Sequence, residues 1–183
     1  MKGTASVLIV AAALLTAACG EGRAIFNVDV YSFMAGSGND TIPYAVPGLS
    51  SVDSFTVQRI ILPPGFGKSI VDSVRITSGA ANLITSTGAG SIGFSLYIAS
   101  DSASTHLPGS LALSLAATTI PGPGTLPVAI VGDLSSGINA AFTRDTLWVR
   151  IAATGTNPNA GPLLGQMALT ALQLRVVMQD KIF

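Results

Sequence analysis

Ile92-Gly93-Phe94-Ser95-Leu96-Tyr97-Ile98-Ala99 is the stretch from which the fold is read. Ile92, Phe94, Leu96 and Ile98 fall on one side of an extended chain, and Ser95 and Tyr97 fall on the other. Successive side chains of a strand point to opposite faces, so this pattern describes a strand with one face in a core. The same period recurs along the chain. Phe26, Val28 and Val30 alternate with Asn27, Asp29 and Tyr31; residues 52–62, bounded by Pro47-Gly48 and Pro63-Pro64-Gly65, read as the next strand; and Leu111, Leu113 and Leu115 repeat the rhythm. Val128 and Ile130 do so too, as do Leu147, Val149 and Ile151 around Trp148. Residues 69–77 set Ile70, Val74 and Ile76 against Val71, Ser73 and Arg75, and 82–85 reads as a separate short strand. In 167–178, Leu169, Ala171 and Gln173 oppose Leu172, Leu174 and Val176.

Turn chemistry separates these runs. Gly36-Ser37-Gly38-Asn39 and Thr87-Gly88-Ala89-Gly90 can take positive φ, and the prolines of Ile120-Pro121-Gly122-Pro123-Gly124 and Pro63-Pro64-Gly65 cannot donate to a ladder. No long segment carries a 3.6-residue stripe, although 135–141 suits a short helical turn. About eight or nine strands between turn clusters predict an all-β fold, an antiparallel β-sandwich or jelly-roll-like body. No linker, charge block or repeat divides residues 25–183, so they read as one domain.

Ahead of that domain the chain changes character. Lys2 is followed by the apolar run Val7 to Leu15, then Thr16-Ala17-Ala18 and Cys19-Gly20-Glu21. A charged start, an apolar middle and small residues before a cleavage point make a secretory signal peptide, here residues 1–18. The run 5–18 is short of the roughly 20 residues that a spanning helix needs. With Cys19 directly after the small residues, the segment resembles the lipobox of bacterial lipoproteins. Leu15 lies four places before the cysteine, and Thr16 holds the third place, where that family usually has Leu. The resemblance implies acylation of Cys19, cleavage after Ala18 and an exported protein held at the bacterial envelope membrane. Stable anchoring takes two or more chains at about 0.8 kcal/mol per buried methylene, which a triacylated cysteine supplies. Residues 19–24 would be a short tether, keeping the domain close to the bilayer.

The remaining 165 or so residues can bury a real core, and a single cysteine rules out a disulfide framework or a thiolate metal cluster. Nine basic residues balance nine acidic ones, which excludes the basic footprint of a nucleic-acid binder. Only 10% of residues are charged, against about 25% in ordinary soluble domains. A surface with so few charges has little repulsion to keep it from partners or from copies of itself.

Chemistry is scarce. His106 is the only histidine, in the loop around Ser104-Thr105-His106-Leu107-Pro108, and reads as solvent-exposed. No G-x-S-x-G elbow or D-x-D-x-D-G calcium loop occurs; a calcium ion would need Asp40, Asp101 or Asp133 to converge. Gly67-Lys68-Ser69 lacks the upstream glycine of a phosphate loop, since Leu62 stands there. No catalytic residue, metal or cofactor is therefore assigned.

The recognition candidates are Trp148, Arg150, Tyr97 and Tyr44, because aromatic residues and arginine dominate binding hot spots. Trp148 reads more readily as a core or rim residue, since sandwiches commonly bury one. The sequence thus predicts a non-catalytic, lipid-anchored accessory protein docking on a larger envelope assembly such as a bioenergetic, photosynthetic or secretion complex. The alternative is a glycan- or ligand-binding sandwich, which requires some of Trp148, Tyr97 and Tyr44 to form an exposed patch.

Overall fold

Alternation along the chain pairs into two antiparallel sheets packed face to face. A computed structural model describes residues 22–62 and 70–180. The signal segment, Cys19 and residues 63–69 lie outside them. In chain order the elements are β1 (Gly22–Asp29), α1 (Val30–Gly36), β2 (Thr41–Val46), β3 (Ser50–Ile61), β4 (Ile70–Thr87) and β5 (Gly90–Ala99). Then follow β6 (Leu111–Ile120), β7 (Gly124–Ala129), β8 (Thr146–Asn157) and β9 (Leu163–Asp180). One sheet has the order β1-β9-β4-β7, with β2 also on β9; the other is β3-β8-β5-β6. The fold is an antiparallel, jelly-roll-like β-sandwich of nine described strands.

The core lies between the sheets. Ile92, Phe94, Leu96 and Ile98 of β5 meet Leu147, Val149 and Ile151 of β8 and Leu172, Leu174, Val176 and Met178 of β9. At about 25 cal/mol per Å² of apolar surface removed from water, this burial is the main stabilising term in a chain without a disulfide framework. The space left between the layers, lined by Ala81, Ile92, Phe94 and Met167, is about 10 Å³, room for at most one water.

Four departures from simple alternation have local causes. Val30 and Tyr31, expected to end the first strand, open α1 instead. Asp29 caps that helix, its carboxylate accepting from the Ser32 amide at 3.1 Å and the Ser32 hydroxyl at 2.6 Å. Val30 and Met34, four apart, bury the inner face of α1 completely. The helix takes the chain off β9 and returns it as β2, so β1 covers the Gln173–Asp180 part of the β9 edge and β2 the Leu163–Ala168 part. The expected strands 69–77 and 82–85 are not separate: residues 70–77 and 82–85 are both parts of the 18-residue β4. A register shift between Val71 and Ser73 changes which face looks inward, so Val71 and Val74 are buried and Ile70 is exposed. A second shift, where Ala80 and Ala81 face Ala171 and Leu169, does the same in β9. Leu169 and Leu172 are therefore both core residues although they differ in parity.

Tyr44 is the candidate that the fold turns into the core. It is 3% exposed and lies opposite Gly165 in the β2–β9 ladder. Its hydroxyl is 2.8 Å from Thr85 Oγ1. Burial pushes the phenol above the usual tyrosine range, and the Thr85 hydrogen bond opposes that rise. The ring sits against the Cβ-less backbone of Gly165, in space that any larger residue there would fill. A glycan platform that includes Tyr44 is thereby excluded.

Candidate functional site

The outer face of the β3–β8–β5–β6 sheet carries the remaining candidates. With Leu147, Val149 and Ile151 facing the core, Trp148, Arg150 and Ala152 must face the other way. Register then sets the neighbours: Val57, Arg150, Tyr97 and Leu111 form one row across the four strands, and Phe55, Ala152, Ser95 and Ser114 form the next. Arg59, Trp148 and Ala99 make a third row on the same face.

Arg150 is the centre of this face. Only 8% of its surface remains exposed, and its guanidinium carbon lies 3.6 Å from the centroid of the Tyr97 ring and 5.6 Å from that of Phe55. Both are cation–π distances. Its Nε donates to the Thr105 carbonyl at 3.0 Å. That bond ties the 3₁₀ turn Ala103–His106 to the sheet, where the Thr105 hydroxyl also donates to the Ser102 carbonyl. His106 then reaches Phe55 edge-on, ring centroids 5.3 Å apart and planes at 79°.

Phe55 is the residue that sequence reading passed over. It is 51% exposed in the middle of β3. Apolar side chains occupy both parities of that strand, Val52 and Ile60 inward and Phe55, Val57 and Ile61 outward, so alternation could not assign it a face. Trp148, expected in the core or at its rim, is partly buried on the outer face. The loop position of His106 is as expected, and it is exposed.

The aspartates do not gather. Asp101 accepts from the Ser104 hydroxyl at 2.6 Å and amide at 2.9 Å, which hold its carboxyl below the usual range, and Asp29 caps α1. Asp133 pairs through its backbone with Arg75. Among the described residues no three His, Cys, Asp or Glu side chains lie together as metal ligands. Two open hollows flank the sheets. One of about 370 Å³ is lined by Ile98, Ser104, Ser110, Ile138 and Arg144, and another of about 580 Å³ by Ile25, Asn27, Asp29, Gln173 and Arg175. Neither lining contains histidine, cysteine or a tyrosine to act as a base or nucleophile.

No protein-family model matches the chain, and no curated protein matches its sequence. Solved structures align loosely. A chain of the infectious bursal disease virus Gx strain structure has 13% identity and a TM-score of 0.40, over 88% of this chain and 33% of that one. TmCBM61 in complex with β-1,4-galactotriose has 10% identity and a TM-score of 0.29, over 80% and 88%. The chain thus spans about a third of the length of the viral chain it resembles.

Proposed function

We propose that this chain is a non-catalytic recognition module, held at the bacterial envelope through an acylated Cys19, that docks on a protein assembly through its outer β3–β8–β5–β6 face. The observation that carries the reading is the Phe55–Tyr97–Arg150 cluster, an arginine packed between aromatic rings on an outward sheet face. Interface centres are enriched in this combination and depleted of lysine and carboxylates. The surroundings agree with it. Ile61 is 66% exposed, Leu107 58% and Leu111 37%, and no charged residue occurs between Asp101 and Asp133. Apolar side chains of this kind suit a polypeptide surface better than the hydroxyls of a sugar.

A second reading, a glycan- or other ligand-binding sandwich, is favoured by Phe55 alone, a half-exposed ring beside hydrogen-bonding groups. Tyr97 is less available for stacking because Arg150 covers one of its faces.

Photocrosslinking separates the two. With p-benzoylphenylalanine in place of Phe55, in cells of the native host making the full chain, discrete protein adducts are expected; the same group at Thr125, on the edge strand β7, should give none. Adducts that collapse on glycosidase treatment would establish the ligand reading instead. Adducts from 125 and none from 55 would overturn the assignment of the face.

A further inference from the structure

The geometry assigns a more specific task to Arg150: it anchors a carboxylate carried by the docking polypeptide. This rests on the docking reading above and adds the chemistry of the partner. Arg150 is more than nine-tenths buried, yet no carboxylate pairs with it among the described residues. Among the described residues its only hydrogen bond uses Nε, toward Thr105. Among the described residues no buried side-chain nitrogen lacks a partner, so the two Nη groups, which have no acceptor there, reach the surface. Burying a full charge without a counter-ion is costly, and the Tyr97 and Phe55 faces offset only part of that cost. What remains is a planar fork of N–H donors lying against the Tyr97 ring with its Nη groups reaching the surface, a group that a carboxylate can meet bidentately.

Charge complementarity identifies the occupant. Arg59 lies on the same face one row from Arg150, Asp53 lies on β3 beyond Phe55, and the Asp101 carboxylate in the adjoining turn is taken up by Ser104. The face therefore selects an acid. The flanking aliphatic residues Val57 and Leu111, in register with Arg150 and Tyr97, select an acid with apolar neighbours, which is an Asp or Glu within a folded polypeptide surface rather than a uronic acid among hydroxyls.

The Nε–H of Arg150, protected by its bond to Thr105, gives a direct probe. In a ¹⁵N–¹H spectrum of the full chain in detergent, the ligands would be sodium acetate, N-acetyl-glutamyl-leucine amide, sodium galacturonate and sodium chloride, at matched ionic strength. The expected result is a saturable shift of Arg150 with the two simple carboxylates, stronger for the peptide, and none at Arg75, Arg144 or Arg175. Chloride should reproduce none of it. A non-saturating drift shared by all arginines and by chloride would overturn the site, leaving Arg150 as a structural strut. Tighter saturation by galacturonate than by the peptide would overturn the polypeptide assignment. Neither outcome depends on whether position 55 crosslinks, so failure of this inference is distinguishable from failure of the docking face.

Discussion

Arg150→Ala is expected to destabilise the fold by about 2–3 kcal/mol and to loosen the turn at residues 103–110. The substitution removes a charge-assisted bond worth about 1.5–3 kcal/mol and leaves the Thr105 carbonyl with the Ser110 hydroxyl as its remaining donor. It also removes a cation–π contact worth about 0.5–2 kcal/mol with Tyr97. Against this, the cost of burying an unpaired charge is relieved, so the net effect falls below the sum. For a chain of this size the loss corresponds to roughly 5–10 °C in melting temperature, readable from Trp148 fluorescence. Arg150→Lys should recover little, because an ammonium cannot both reach Thr105 and lie flat on the Tyr97 ring. A change below about 0.5 kcal/mol for the alanine variant would mean that Arg150 does not hold the turn to the sheet.

The larger effect is expected from Gly165→Ala. A Cβ there would fall inside van der Waals contact of the Ile84 carbonyl, which is backbone and cannot swing away. It would also collide with the Tyr44 hydroxyl and ring, which occupy that space from the paired strand. Tyr44 would be driven off Thr85 Oγ1, exposing a buried polar pair. Overpacking costs about 1–3 kcal/mol in ordinary cores, and the clash with backbone places this case at or above 3 kcal/mol. Gly161→Ala is the control, since nothing lies within 4 Å of its added atom and the expected change is within about 0.5 kcal/mol. Urea unfolding of both variants checks the pair. Equal stability would mean that the β2–β9 ladder is more yielding than its packing indicates.

Much of the sandwich can be read from the chain because period two is a local property. Ile92 to Ile98 and Leu147 to Ile151 need only their own alternation to declare a buried face, and both are core strands. What escaped reading depends on non-local partners. The bulges near Asp72 and Thr170 shift parity only because β4 and β9 must stay paired over 18 residues each, and nothing within either segment marks the shift. β2 carries Pro43, which is tolerated at an edge, and its six residues were too few to declare a pattern. The Val30–Met34 spacing was a helical signal, but it was too short to outweigh the alternation that precedes it.

The site divides the same way. Arg150 and Tyr97 could be named from residue type, because arginine and tyrosine on an outward face are recognisable hot-spot material. Their stacking could not, since β5 and β8 are far apart in sequence and only the register brings the two together. Tyr44 was misplaced because an aromatic residue beside a proline and a turn looks exposed until Gly165 is seen opposite it. The signal-like segment and Cys19 lie apart from the described residues, and the anchor that they suggest enters the account as a proposal.

Hydrogen–deuterium exchange on the full chain, compared between native membranes and purified detergent micelles, tests the docking face most directly. Added protection in membranes is expected in residues 53–59, 103–111 and 148–152. Protection confined to 124–129 and 22–29, with those three segments unchanged, would contradict it.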